Sequence, residues 1–329
     1  MDELRKDPTR GNWVLIRPKA TIETASACPY CPGAEGQTDA EIAAYRKDGS
    51  SANGGGWTVR VVPESDPYFR IESEVAREGV GMYDMITARG ASEIILESPR
   101  HDDTLATMGA EQIESVLWMY RDRVLDLKRD GQIRDILISR RHKKPGVPAH
   151  HPWSRVTAIP IVFDETRREL REAREYYQYK RRCLYCDLAR QEIASGERLV
   201  KQTRAFAVMV PYAPRSPIEL WVLPRAHSCA YEDALTADTA PELAQILSQA
   251  CRALANGLGD PGYELQLHNA PNLRSRILQG EWATLRDDYH WHMELVVEPE
   301  RANRVGGIFV NETSPEACAA ELRRVWPAD

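Results

Sequence analysis

Residues 146–156 read Gly146-Val147-Pro148-Ala149-His150-His151-Pro152-Trp153-Ser154-Arg155-Val156, and residues 289–294 read Tyr289-His290-Trp291-His292-Met293-Glu294. Working outward, the first run follows Cys28-x-x-Cys31 and Ser98-Pro99-Arg100-His101, and the second follows Cys183-x-x-Cys186 and Leu223-Pro224-Arg225-Ala226-His227. The order thiol pair, histidine, histidine therefore occurs twice, which marks an internal repeat. Each half offers two thiolates from a tight turn and two imidazoles from distant segments. Tetrahedral Cys2His2 sets suit zinc, and closed four-ligand sites of this kind are normally structural. The expected ligands are Cys28, Cys31, His101 and His151 in the first half and Cys183, Cys186, His227 and His290 in the second, for two zinc ions per chain. A competing second site stays open: Glu169, His268, His290 and His292 would make a carboxylate-plus-three-histidine centre, better suited to iron or another redox metal. Both schemes use His290.

The bulk composition limits the classes to consider. A chain of 329 residues allows one large or two medium domains with ample core. Hydrophobic residues make up 43% and charged residues 28%, as in ordinary globular proteins. A net charge of −6 argues against nucleic-acid partners. No stretch approaches the ~20 apolar residues of a membrane span, and the charged N-terminus is no signal peptide, so the expected compartment is the cytoplasm. Seven cysteines are an odd number, with Cys229, Cys251 and Cys318 outside the pairs. In such a chain the paired cysteines point to metal before disulfides. A thioredoxin-like redox pair is the rival, but neither pair opens a βα unit.

Residues 57–63, 92–96, 133–139 and 156–162 read as strands in the first half, and 205–210, 218–223, 263–267, 291–297 and 307–310 in the second. Ile113, Val116, Leu117, Tyr120, Val124 and Leu127 keep an apolar stripe at helical spacing, as do Leu243, Ile246, Leu247 and Ala250. Residues 49–56, Gly-Ser-Ser-Ala-Asn-Gly-Gly-Gly, read as a flexible loop, and 165–180 as a charged helix joining two halves, 1–164 and 165–329.

These residues, with Asp7-Pro8-Thr9-Arg10-Gly11-Asn12-Trp13-Val14-Leu15 and Glu97-Ser98-Pro99-Arg100-His101, resemble the galactose-1-phosphate uridylyltransferase family of the histidine-triad superfamily. The similarity runs to the C-terminal helix near Leu322. It implies an α+β fold of two fused histidine-triad-like repeats, antiparallel sheets with packed helices, assembled as a homodimer. In that family the motif His-Pro-His-x-Gln supplies a zinc ligand, a nucleophile that carries a covalent nucleotidyl group, and a glutamine that steadies the phosphate. By position the zinc ligand is His151, the nucleophile position is Trp153 and the glutamine position is Arg155. Upstream phosphate-facing Asn and Ser positions become Arg140 and Pro148, and a nucleotide-binding Asn becomes Glu64.

An indole has an N–H donor and no basic nitrogen, so Trp153 cannot attack phosphorus. Losing such a nucleophile costs on the order of 10⁶ in turnover. The resemblance thus implies a divergent member that recognises a nucleotide, sugar phosphate or similar anion with altered chemistry. Two alternatives stay open: a non-catalytic binding or scaffold protein, and a nucleotidyltransferase whose nucleophile has moved to His292, the repeat-two counterpart of Trp153. Arg140, Trp153, Arg155 and Glu64 are the expected substrate contacts, and His292, His268 and Arg155 the candidate catalytic residues. Arg140 with Arg141, His142, Lys143 and Lys144 would form a basic rim, although the 141–144 run also reads as a solvated loop. His150 should point away from His151, Trp153 and Arg155 by strand alternation.

Overall fold

The computed structural model describes residues 2–17, 28–47, 49–71, 76–144, 151–274, 282–297 and 304–328. Pro148 and His150 lie outside the described residues.

The strands of the first half are β1 (Glu3–Lys6), β2 (Trp13–Ile16), β3 (Ala43–Arg46), β4 (Trp57–Pro63), β5 (Arg77–Val80), β6 (Tyr83–Thr87), β7 (Ala91–Leu96), β8 (Asp135–His142) and β9 (Trp153–Ile159). Those of the second are β10 (Leu199–Gln202), β11 (Phe206–Met209), β12 (Glu219–Pro224), β13 (Tyr263–His268), β14 (His292–Val297), β15 (Arg304–Val305) and β16 (Ile308–Phe309). The helices are α1 (Ala110–Leu127), α2 (Asp164–Lys180), α3 (Leu184–Ser195), α4 (Tyr231–Ala234), α5 (Ala240–Gly257), α6 (Leu285–Asp288) and α7 (Pro315–Val325).

Ten strands form one antiparallel sheet in the order β10-β11-β12-β14-β13-β8-β9-β7-β4-β3. Read inward from either edge, the two halves have the same order, with β3, β4, β7, β9 and β8 matched by β10, β11, β12, β14 and β13. The halves meet where β8 pairs with β13, in a register that sets Arg140 opposite Leu265 and His142 opposite Tyr263. The repeat in the ligand order is thus a repeat in strand order, within a single continuous sheet.

Both faces of the central strands are covered, so β7 is buried at every residue, including Ser92 and Glu93, the latter paired with Arg123 of α1. On one face α1 and α5 pack side by side. The predicted stripes Ile113, Val116, Leu117, Tyr120 and Val124, and Leu243, Ile246, Leu247 and Ala250, meet Val59, Ile95, Ile138, Val156, Leu265 and Met293 in the main core. Pro241 in the first turn of α5 and the Ser314 cap on Ala317 N–H at α7 mark helix starts. The other face carries a cluster from α2, α3 and α6 around Leu170, Tyr185 and Leu285, and a smaller one around Leu4, Phe69 and Ile159. Gly90 is required in that smaller cluster: a Cβ there would lie 2.1 Å from the Ala158 carbonyl oxygen and 3.0 Å from Phe69 Cβ. Lys128, at the end of α1, reaches Glu232 of α4 at 2.5 Å and ties the halves together inside the core.

Three sequence readings shift. A separate four-stranded sheet, β2-β1-β6-β5, packs on the second face, and its short, half-exposed strands carry no alternating signal. Strand β9 starts at Trp153, three residues before the expected boundary. Residues 307–310 supply only the two-residue β16, paired with β15 away from the large sheet. No helix among the described residues is long and apolar enough to cross a membrane.

Candidate active site and metal centres

The two thiol-imidazole quartets assemble as the spacing predicts. The donor atoms of Cys28, Cys31, His101 and His151 lie within 4.8 Å of one another, and so do those of Cys183, Cys186, His227 and His290. Strand pairing accounts for the convergence. Leu96 at the end of β7 lies opposite Trp153 at the start of β9, so the turn carrying His101 and the segment carrying His151 leave the sheet at the same edge. The Cys28 turn closes over them. Cys31 Sγ lies 3.4 Å from His101 Nδ1 and 3.8 Å from His151 Nδ1. In the second half Cys186 Sγ lies 3.4 Å from His227 Nδ1 and 3.5 Å from His290 Nδ1, with Cys183 Sγ at 3.9 Å from the same nitrogen.

These spacings fit an ion. A tetrahedron with Zn–S of about 2.3 Å and Zn–N of about 2.0–2.1 Å has ligand-to-ligand edges of about 3.3–3.8 Å. Two of the four outer nitrogens are arranged as such a site needs, while His290 Nε2 is buried without a partner among the described residues. His151 Nε2 lies 2.8 Å from the Ser98 carbonyl oxygen and His227 Nε2 2.9 Å from that of Arg286. An Nε2–H donating there leaves each Nδ1 lone pair facing the sulfurs. Cys186 is held well below the ordinary thiol range, first by the hydrogen bond from Cys183 and then by His227 and His290. Burial keeps His151 and His290 neutral. A metal requires thiolates and neutral imidazoles, so its binding would also displace the protons of Cys183, whose pKa is pushed up by its contact with Cys186, and of His227, pushed up by the same thiol.

The competing second centre is corrected by this geometry. His290 belongs with the cysteines, and Glu294 takes its place beside Glu169, His268 and His292. The spacing 290, 292, 294 would put all three on one face of a regular strand. β14 begins only at His292, and the preceding bend turns His290 toward the thiols. In the remaining cluster His268 Nδ1 sits 2.8 Å from Glu169 Oε1 and its Nε2 3.4 Å from Glu294. The His268 and His292 rings stack at 4.7 Å, 16° from parallel. Burial opposes a charge on His268, but Glu169 and Glu294 outweigh it and push its pKa up to about 10. Glu294, which burial would raise, is held low by His268, His292 and Arg215. A buried imidazolium between two carboxylates is the arrangement described.

Around Trp153 lies a cavity of about 650 Å³, walled by Tyr68, Ser139, Trp153, Arg155, Asp260 and the 140–144 segment. The Arg155 guanidinium is 5.3 Å from the centre of the Trp153 ring and 5.6 Å from that of Tyr68, and it pairs with Glu64 at 2.6 Å. Arg155 Nε and Glu64 Oε2, both buried, have no hydrogen-bond partner among the described residues. Trp153, Arg155 and Glu64 are thus together, as expected. Arg140 is not a rim residue. It is 4% exposed, its Nε donates to Glu97 at 2.8 Å, and it shares a polar network with Tyr120, Ser154 and Tyr263 inside the helix-covered face. Strand alternation sets it on the same side as Ile136 and Ile138, so its head group is committed to the core. The sequence reading also missed a dyad on the cavity wall: His142 Nε2 lies 2.9 Å from Asp260 Oδ1, with the ring stacked on Tyr263 at 4.8 Å. Gly259 and Asp260, both in left-handed conformation, were the only local signal of that turn.

The three candidate catalytic residues do not form one site. His292 is fully buried and His268 nearly so, whereas Arg155 faces the Trp153 cavity. Strands β13 and β8 separate β14 from β9, and His292 lies opposite His268 at the far end of β13 from the His142 pairing. At about 4.8 Å per strand the lateral gap alone is about 14 Å. His292 is stacked on His268 and does not line the Trp153 cavity.

Comparison with known proteins bears on the whole chain. Residues 3–141 match the model of the galactose-1-phosphate uridyl transferase N-terminal domain. An ADP-glucose phosphorylase from Arabidopsis thaliana is 23% identical over 98% of this chain and 93% of its own length. A galactose-1-phosphate uridylyltransferase from Thermotoga maritima is 26% identical over 69% of this chain and 68% of its own. A solved uridylyltransferase structure superposes with a TM-score of 0.80 at 26% identity, covering 98% of both chains. The Arabidopsis ADP-glucose phosphorylase with bound ADP-glucose shares the fold at a TM-score of 0.75 and 22% identity, over 98% of this chain and 99% of its own. Residues 3–141 are thus similar to the galactose-1-phosphate uridyl transferase N-terminal domain, and the chain as a whole is similar, nearly end to end, to a solved uridylyltransferase.

Proposed function

We propose that the Trp153 cavity recognises a nucleotide sugar or sugar phosphate, and that no covalent nucleotidyl group forms at position 153. The observation that carries this reading is the Trp153-Arg155-Tyr68 stack lining a 650 Å³ cavity beside the first thiol-imidazole quartet. Relatives named for ADP-glucose phosphorylase and galactose-1-phosphate uridylyltransferase activity support the ligand class. Arg155, whose side chain is 30% exposed, would meet a phosphate oxygen through its guanidinium, a charge-assisted hydrogen bond. Aromatic faces at Tyr68 and Trp153 would pack on a base or sugar ring.

Without a nucleophilic imidazole, group transfer in this cavity would have to be a single displacement, an acceptor oxygen attacking the nucleotidyl phosphorus as its bond to the bridging oxygen breaks and the sugar phosphate leaves. Among the described residues His142 is the one imidazole on the wall besides His151, and burial lowers its pKa, so the neutral form is available to take a proton. Zinc held by the two quartets would brace the Cys28 and Cys183 turns against the sheet, a structural role for a closed four-ligand set. We assign the substrate cavity to the first half, 1–164, with Asp260 and Glu264 closing it from the second, 165–329. The working unit in this reading is a cytoplasmic homodimer.

Calorimetry with ADP-glucose, UDP-glucose and hexose 1-phosphates tests the proposal. Saturable binding that is lost in Arg155→Ala supports it. Binding of none of them, or binding indifferent to Arg155, overturns it.

A further inference from the structure

A second cavity, of about 1080 Å³, opens at the other end of β8 and β9, between β1, β5, residues 160–162, α2 and Trp282. It shares no lining residue with the Trp153 cavity. From Arg134, just before β8, to His142 at its end is about 25 Å of extended chain. Eight of the lining residues are Lys or Arg and two are Asp or Glu, in a chain whose net charge is −6.

Arg134 sets this cavity apart from an ordinary basic surface. Five arginines among the described residues are under 9% exposed. Arg60 pairs with Glu41, Arg123 with Glu93, Arg140 with Glu97 and Arg198 with Glu192. Arg134, 7% exposed, has no carboxylate and no hydrogen bond from its guanidinium among the described residues, and the charge nearest it is another cation, Arg77. Arg77 and Arg168, also on the cavity wall, have no carboxylate partner among the described residues either. An arginine cannot shed its proton to escape burial. Among the described residues the Arg134 guanidinium therefore meets only water and whatever anion enters the cavity, and an anion would neutralise it where water cannot.

We propose that this cavity is a second anion site, which takes a small molecule carrying two or more phosphate groups. Arg134 lies at its floor, and Arg77 and Arg168 line its walls. Three unpaired guanidinium forks in a space of this volume exceed what one phosphate could engage, and planar forks match phosphate oxygens two at a time. The partly exposed indoles of Trp13 and Trp282 offer apolar faces for the rest of such a molecule.

Inorganic tripolyphosphate is the probe, titrated into the full chain at low salt with calorimetry and thermal denaturation read together. One saturable event per chain is expected, weakening as salt rises. Arg134→Met and Arg168→Ala should each weaken it ten-fold or more, and Arg155→Ala in the first cavity should leave it unchanged. Arg134→Met should also hold or raise the melting temperature of the anion-free protein, because it removes a buried unpaired charge, while abolishing the rise that tripolyphosphate produces. Arg168, exposed on α2, provides a variant that cannot fail by misfolding of the core. The proposal is overturned by absence of saturable binding, or by binding that survives both substitutions. It is equally overturned if Arg134→Met lowers the melting temperature and dissociates an oligomer, since a carboxylate of a second copy would then be the partner.

Discussion

The guanidinium carbon of Arg155 lies 5.3 Å from the centre of the Trp153 ring. Position 153 is therefore occupied by an indole held in a cation-π stack, with Tyr68 on the same guanidinium at 5.6 Å and Glu64 closing the pair at 2.6 Å. The second half carries the reversed arrangement. There β14 supplies the anion, Glu294, and the segment after β11 supplies the cation, Arg215, which bonds it. Equivalent strands thus carry opposite charges, and the first half presents its cation to the Trp153 cavity.

Glu64 competes with any ligand phosphate for Arg155. Glu64→Gln should tighten binding of ADP-glucose or UDP-glucose several-fold, and Arg155→Ala should weaken it about ten-fold or more, the scale of one hydrogen bond to a charged group. Calorimetry on the two variants decides. Weaker binding in Glu64→Gln would mean that the carboxylate itself holds the ligand.

Arg140 should behave oppositely. Removing it as Arg140→Met leaves the fully buried Glu97 carboxylate without its cation, which costs about 3–5 kcal/mol of stability. Denaturant unfolding should register that loss, with nucleotide-sugar affinity in the folded fraction unchanged. A selective loss of affinity at normal stability would return Arg140 to the binding site.

Metal content separates the two readings of His290. Elemental analysis should give two zinc per chain in the wild type, one in Cys31→Ser, one in His290→Ala and two in His292→Ala. Loss of metal on substituting His292 instead would favour the carboxylate-rich cluster as the second centre.

His268 gives the stability a pH dependence with a definite sign. Its folded pKa of about 10 lies above the ordinary value near 6.5, so the charged ring stabilises the fold fully below about pH 6.5. That contribution, on the order of a few kcal/mol, is lost as pH rises through 10. Unfolding free energy should fall between pH 7 and 10 in the wild type and much less in His268→Gln. Parallel curves for the two proteins would dismiss the buried imidazolium.

The metal quartets and the repeat were legible because sulfur and imidazole are rare in this chain and their order survives the folding of everything between them. Val59, Ile95 and the α1 stripe were legible because burial imposes periodicity. Arg140 was misread, although its parity with Ile136 and Ile138 pointed inward; the pull of a basic run from 140 to 144 hid it. The preferred set with His290 assembles as read, and only the competing centre took His290 where Glu294 stands, because His290 precedes β14 and escapes the alternation of that strand. The His142-Asp260 dyad needed the β8-β13 pairing, a contact between residues 118 positions apart, and no local pattern reports it. The small sheet was invisible because four-residue, half-exposed strands carry too few apolar positions to set a period.

The central claim is that Trp153 has ended covalent catalysis at the site beside the first metal quartet. Intact mass spectrometry of the wild type and Trp153→His after incubation with ADP-glucose or UDP-glucose tests it. The account predicts an unmodified wild-type chain, with any nucleotidyl adduct confined to the restored histidine. A wild-type chain heavier by one nucleotidyl group, mapped to any histidine, would contradict it.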